Sequence, residues 1–288
     1  MRTLRTGAEL RAALAEPRRN GRTVGFVPTM GFLHDGHTAL IAAAREATDE
    51  VVVSLFVNPS QFNEAADLDA YPRDEARDAA IAAEAGADLL FAPSVAEVYP
   101  TGFSTQVRVA GPLTETLEGA FRGAEHFHGM TTVVTKLLNM VAPDIAWFGQ
   151  KDAQQALVVR RLVADLNLPV RIEVAPTVRA PDGLALSSRN ARLGPDERRR
   201  AGGLSAALRA AEQALAAGTR DAAALDAAAR GALQDFAVEP EYVALVDPET
   251  LAPVGVVDRE VLLAVAARIG EVRLIDNVIL HPDAAREA

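Results

Sequence analysis

The stretch TVGFVPTMGFLHDGHTALIAAAREAT (residues 23–48) decides the fold. TVGFV (23–27) is a short apolar run, which predicts a buried strand. HTALIAAAREAT (37–48) carries the apolar spacing of a helix. Between them lies PTMGFLHDGH (28–37), a turn whose Gly31 and Gly36 permit tight backbone geometry. A strand, a tight turn and a helix make half of a βαβ unit.

The same alternation continues outward. Strands are expected at EVVVSLFV (50–57), ADLLFAP (87–93), DIAWFG (144–149) and VRIEVAP (170–176). Helices are expected at 74–85, 130–141 and 153–166. Strands alternating with helices imply an α/β fold with a parallel sheet covered on both faces. Doubly buried strands should read as continuous apolar runs, and these do. Ligands in such sheets bind beyond the carboxyl ends of the strands. From about residue 180 the texture changes. The Ala-rich stretch 195–237 predicts two helices broken near 217–219, with Leu204, Leu208, Leu215, Leu225 and Leu233 as apolar faces. EYVALVD (241–247), VLLAVAARIG (261–270) and VRLIDNVIL (272–280) read as strands of a separate sheet. The expected domains are 1–179 and a smaller α+β domain, 180–288.

Composition removes several classes of function. A net charge of -10 argues against a broad nucleic-acid interface, which needs clustered Lys and Arg. With no cysteine there is no disulfide, thiolate nucleophile or Cys-ligated zinc. The first thirty residues have no apolar signal-peptide core, and no run approaches eighteen apolar residues. A cytoplasmic protein without a membrane span is the expectation.

The turns carry the chemistry. A helix N-terminus attracts phosphate through its N–H groups and dipole. His34 and His37 stand there, and two imidazoles can donate to phosphate oxygens as charge builds on them. A histidine at a helix start can equally cap or pack. A metal pair lacks a third ligand at a recognisable spacing, and GFLHDG does not fit the dinucleotide fingerprint G-x-G-x-x-G. In FVNPSQF (56–62), Asn58 and Gln61 bring amides that suit hydroxyls and a carboxylate, or else mark an Asn-Pro turn. Asp78 lies one helical turn after YPRD (71–74); alone it reads as a solvated surface residue. In LEGAFRGAEHFHG (117–129), Arg122 can grip a carboxylate bidentately. In FGQKDAQQ (148–155), Lys151 is a mobile cation at a helix start, Asp152 a cap or ribose ligand, and Gln155 lies one turn on. LSSRN (186–190) offers Ser187 and Arg189 to phosphates, or a serine cap beside a surface arginine.

Taken together, PTMGFLHDGH, FVNPSQF, YPR, LEG…R…HF.G, GQKD, LSSRN and LIDN (274–277) resemble, in order, the motifs of the pantothenate synthetase family. That family belongs to the wider class of H-x-G-H nucleotidyltransferases. The resemblance runs from Thr29 to about Asn190, and more loosely to LIDN. It implies a Rossmann-like first domain and a smaller second domain that closes over the reactants to exclude water. It implies ATP-dependent condensation of (R)-pantoate with β-alanine through a pantoyl-adenylate. His37, His34 and Lys151 would be catalytic. ATP would meet Met30, Gly31, Phe32, Leu33, His34, Asp35, Gly36 and His37; then Gly149, Gln150, Lys151 and Asp152; then Val178, by its backbone, and Leu186, Ser187, Ser188 and Arg189. Pantoate would meet Asn58, Gln61, Arg122 and Gln155, and β-alanine Gln61. Mg²⁺ would accompany ATP, with Asp78 matching a position associated with it. The family is typically a homodimer. Two departures stand out: Gln150 replaces the usual Glu, and one extra residue separates Arg122 from His126. The rival readings are another H-x-G-H nucleotidyltransferase, which would release pyrophosphate without forming an amide, and a non-catalytic nucleotide-binding protein.

Overall fold

Six strands of the first unit lie side by side in a computed structural model that describes residues 1–62 and 68–282. They are β1 (Arg2–Leu4), β2 (Val24–Thr29), β3 (Glu50–Leu55), β4 (Leu89–Phe91), β5 (Ile145–Gly149) and β6 (Arg171–Ala175). Every pairing is parallel, in the order β1-β4-β3-β2-β5-β6. The first unit's longer helices, among the described residues, are α1 (Gly7–Arg19), α2 (Asp35–Ala47), α3 (Glu75–Glu84), α4 (Ala124–Val141) and α5 (Ala153–Asp165).

Alternation along each strand explains the continuous apolar runs, because successive side chains face opposite ways. Phe26 and Val52 join a core with Leu10 and Leu14 of α1, Leu137 of α4 and Val158 of α5. Val27, Val51 and Val53 join the opposite core with Ile41 and Ala44 of α2 and Ala82 of α3. Both faces are covered, so nearly every strand residue must be apolar.

Two elements escape the apolar pattern. β1 is three residues long with only Leu4 buried. α1 has a narrow stripe, Leu10 and Leu14, among arginines, and is announced instead by a Thr6–Glu9 capping box. A third element is longer than expected: α4 starts at Ala124, six residues before the apolar run, because Gly123 turns the chain at φ 81.

The chain runs from β2 to β3 to β4 in one direction, then returns to place β5 on the other side of β2. The strand order therefore reverses between β2 and β5, and the crevice at such a reversal is where α/β sheets bind ligands. The H-x-G-H turn follows β2, and GQKD begins at the end of β5.

The second compact unit gathers Lys151–Ala153 and the described residues from Thr177 onward. It holds α6 (Pro195–Ala216), α7 (Ala222–Asp235) and the antiparallel strands β7 (Pro240–Val246), β8 (Val261–Ile269) and β9 (Val272–Leu280), in the order β7-β8-β9. Leu204, Leu208, Leu225 and Leu233 of the helices pack with Leu263 and Val265 of β8. Among the described residues no helix is long and apolar enough to cross a membrane.

Candidate functional site

At the start of α2 the two histidines cap each other. The His34 backbone N–H donates to Nδ1 of His37 at 3.2 Å, and the Gly36 N–H donates to Nδ1 of His34 at 3.1 Å. This is a capping box built from imidazoles instead of Ser and Glu. A ring nitrogen that accepts carries no proton, so in this geometry each ring keeps its proton on Nε2. The ring centroids are 4.1 Å apart. The capping alternative and the phosphate-binding reading are thus compatible: one nitrogen of each ring orders the helix, and the other is a donor.

Beneath the turn lies Asp78 of α3, 2% exposed. Its carboxylate accepts the Phe32 N–H at 2.6 Å and the Leu33 N–H at 2.7 Å. Arg77 completes the clasp by donating to the Leu33 carbonyl at 2.9 Å and lying over the Phe32 ring. Gly31 has φ +88 and approaches Asp78 Oδ2 so closely that a Cβ would stand 3.1 Å from it. Two sequence expectations change here. Asp78 is no solvated surface residue, and its carboxylate is committed to backbone amides of the turn instead of being presented to a metal. Among the described residues no group of three or more His, Asp or Glu is gathered that could hold a metal ion. Leu33, expected to line ATP, has a fully buried side chain in the core.

Met30 links this turn to the FVNPSQF segment, whose Gln61 donates from Nε2 to the Met30 sulfur at 2.9 Å. Asn58 is 1% exposed and its amide is spent inside the protein. Its Nδ2 donates to Gln61 Oε1 at 3.0 Å and to the Gly129 carbonyl at 3.1 Å. Its Oδ1 accepts from the Tyr99 hydroxyl at 2.7 Å and from Ser60 Oγ at 2.9 Å. Burial pushes the Tyr99 phenol up, which keeps it a donor. Asn58, expected as a direct contact for the acid, is therefore placed to aim Gln61.

His126 Nδ1 meets the Gln61 carbonyl at 2.8 Å, a further support for the same turn that motif reading had not assigned. Arg122 Nε donates to Glu118 at 3.1 Å within the one-turn helix Glu118–Arg122. Gln155 is half-buried on α5. Its neighbour Gln154 is the structural one: it accepts the Glu118 N–H at 2.9 Å and donates to the Leu113 and Thr116 carbonyls, both at 2.9 Å. No motif signal marks Gln154, because its partners are backbone groups far away in sequence.

Gly129 is explained by close approach. A Cβ there would overlap the Ser60 carbonyl and stand 2.8 Å from the Gln61 nitrogen. Gly129→Ala is expected to lower stability by about 1–3 kcal/mol, the cost of overpacking a tight contact. Gly231→Ala on α7, with open space around it, should be neutral or stabilising. Thermal unfolding midpoints of the two variants test the contrast, and equal midpoints would contradict it.

In the second unit, residues 178–186 form a tight hairpin. Leu186 N–H donates to the Val178 carbonyl at 3.0 Å, and Arg179 bridges Ala185 in antiparallel fashion. Ser187 caps the following turn, Ser188–Arg192, accepting the Arg189 N–H at 3.3 Å. Ser188 is half-buried and Arg189 exposed. Lys151 and Asp152 lie on the turn Gln150–Asp152, with Lys151 Nζ 3.5 Å from Asp152 Oδ1.

Comparison with known proteins identifies the family. The profile of the pantoate-beta-alanine ligase family matches residues 2–279. Pantothenate synthetase 1 of Bradyrhizobium diazoefficiens is 53% identical over 281 residues, 97% of this chain and 98% of that protein. The crystal structure of pantothenate synthetase from Thermus thermophilus superposes with a TM-score of 0.93 at 50% identity, covering 98% of this chain and 100% of that one. The pantoate-beta-alanine ligase of Francisella tularensis, crystallised with beta-gamma ATP and beta-alanine, superposes with a TM-score of 0.79 at 33% identity over 97% of both chains. By family profile, sequence identity and fold alike, the chain belongs to the pantoate–β-alanine ligase, or pantothenate synthetase, family.

Proposed function

We propose that this chain condenses (R)-pantoate with β-alanine at the expense of ATP, giving pantothenate, AMP and diphosphate through a pantoyl-adenylate. It is a ligase that forms a carbon–nitrogen bond. The observation that carries the reading is the mutual capping of His34 and His37 at the N-terminus of α2, beside the strand-order reversal. That geometry puts two imidazole donors where an anion is favoured.

A carboxylate is a poor electrophile. A pantoate carboxylate oxygen attacks the α-phosphorus of ATP, the bond to the β-phosphate oxygen breaks, and diphosphate leaves. The β-alanine amine then attacks the acyl carbon, loses a proton, and displaces AMP. Neither step needs a protein nucleophile, so the residues act by positioning and by stabilising charge. His34 and His37 donate to phosphate oxygens as their charge grows. Lys151, Ser187 and Arg189 supply further donors to the phosphates, and Val178 meets adenine with its backbone. Gln61, aimed by Asn58 and propped by His126, holds pantoate and then β-alanine; Arg122 and Gln155 hold pantoate. The Francisella relative, crystallised with an ATP analogue and β-alanine, supports this pairing of substrates.

Mg²⁺ accompanies ATP as part of the substrate. Asp78 does not fit as its ligand, since it is buried, both carboxylate oxygens accept backbone N–H groups of the turn, and Arg77 donates to it as well. A homodimer and a cytoplasmic location belong to this reading as features of the family.

The test is isotope exchange between pyrophosphate and ATP with purified protein and Mg²⁺, without β-alanine. Exchange that requires pantoate is the expected result. Absence of pantoate-dependent exchange while ATP still binds would overturn the acid assignment. Formation of an adenylylated phosphate ester, with no amide when β-alanine is added, would favour the wider nucleotidyltransferase class.

A further inference from the structure

The LIDN string at 274–277 has no role in the reaction as described, although the motif reading singled it out. It lies on β9, at the edge of the second unit's sheet, with Asp276 opposite Val265 and Asn277 opposite Ala264 on β8. Neither side chain is where composition would put it: Asp276 is 2% exposed and Asn277 5% exposed, on a strand otherwise rich in Val, Leu and Ile. Buried polar groups of this kind are tolerated only when fully hydrogen-bonded.

Their partners are the two ATP segments of this unit. Asp276 grips Arg179 with both oxygens, at 2.6 and 3.0 Å, and Arg179 also donates to the Gly183 carbonyl at 3.1 Å. That pair ties the 178–186 hairpin, with Val178 at its base, to β9. The guanidinium is held even more firmly charged by the Asp276 hydrogen bond. Asp276 Oδ1 also accepts the Asn277 backbone N–H at 2.8 Å. Asn277 then donates from Nδ2 to the backbone carbonyl of Lys151 at 2.9 Å, across 126 residues of sequence. Neighbouring side chains of a strand leave opposite faces, so two consecutive residues can reach two separate segments. One strand thereby holds both the hairpin and the Lys151 turn.

We propose that Asn277 is a positioning residue for Lys151: its amide holds the Lys151 backbone, and with Asp276 it sets Lys151 and the Val178–Arg189 segment in one fixed relation for ATP. The inference rests on the reading of Lys151 as a phosphate ligand. It gives a side chain outside the nucleotide motifs control over ATP without contact with ATP.

The experiment uses the full-length enzyme and steady-state kinetics with ATP and pantoate varied separately. Asn277→Asp keeps size and removes the donor. It is expected to lower kcat/KM for ATP by about 10- to 100-fold, the penalty of a displacement of order 1 Å in a reacting group, while KM for pantoate stays within about twofold. Asn277→Ser keeps a hydroxyl donor and should recover part of the loss. Lys151→Ala provides the reference arm. A large loss in Lys151→Ala and none in Asn277→Asp overturns this inference alone. No loss in Lys151→Ala overturns the phosphate role itself. If Asn277→Asp is damaged equally toward ATP and pantoate, or Asn277→Ser is no better, Asn277 is merely structural and the proposal falls. If both Asn277 substitutions fold and the Lys151→Ala, Asn277→Asp double variant is no worse than Lys151→Ala, the two act as one unit, as proposed; full additivity would overturn it.

Discussion

His37→Ala should lower the rate of pantoate-dependent pyrophosphate exchange by about 10²–10³-fold, the usual consequence of deleting one donor aimed at developing charge. The loss should fall mainly on kcat, because the negative charge it answers is greatest in the transition state. The same substitution also removes the acceptor for the His34 N–H, and a lost cap costs about 0.5–2 kcal/mol of helix stability. His37→Asn separates the two effects. Its short amide can still accept the His34 N–H but cannot reach as far as the imidazole Nε2. It should restore thermal stability and leave the rate low. Recovery of the rate by His37→Asn would mean that His37 orders α2 and does nothing to the phosphates.

The second large effect is expected at Asp78. Asp78→Ala strands the Phe32 and Leu33 N–H groups, and each buried unsatisfied donor costs about 1–3 kcal/mol. Phe32 adds to the penalty. It sits at φ 53, a region that costs a non-glycine residue on the order of 1–3 kcal/mol and persists only where the surroundings enforce it. With the clasp gone, the turn should relax and carry His34 and His37 away from their places. Both the unfolding midpoint and the exchange rate should therefore fall together, by more than for any single surface carboxylate. Asp78→Asn keeps one acceptor and should lie between. If Asp78 instead served as a magnesium ligand, Asp78→Asn would shift the Mg²⁺ concentration needed for activity while the unfolding midpoint held. That pattern would contradict the clasp.

The parallel sheet was legible because its strands are buried on both faces. VVVSLFV and DIAWFG can hardly be anything but core strands when helical stretches separate them. β1 and α1 were not legible as elements of this sheet. A three-residue strand and a helix with two buried leucines carry too few apolar positions to stand out from an arginine-rich background. The start of α4 was equally hidden, since a glycine at positive φ, Gly123, defines it, not periodicity.

At the site, residue types and local order were readable from the chain alone. His34 and His37 stand three apart at a helix entrance, and near-neighbour spacing is enough to bring them together. What each side chain is spent on was a different matter. Asn58 looked like a substrate amide and Asp78 like a surface or metal carboxylate, yet both are consumed by groups distant in sequence: Gly129 and Tyr99 for one, Phe32 and Leu33 for the other. Asn277 reaches Lys151 across the chain in the same way. By itself the sequence determined the family, the strand–turn–helix that presents the histidines, and the order of the motifs, because all of these rest on local pattern. The tertiary structure alone decided which polar groups are presented at the turns and which are committed beneath them, because a buried donor or acceptor must be satisfied, and its partner is chosen by the packing of the sheet and not by neighbourhood in the chain.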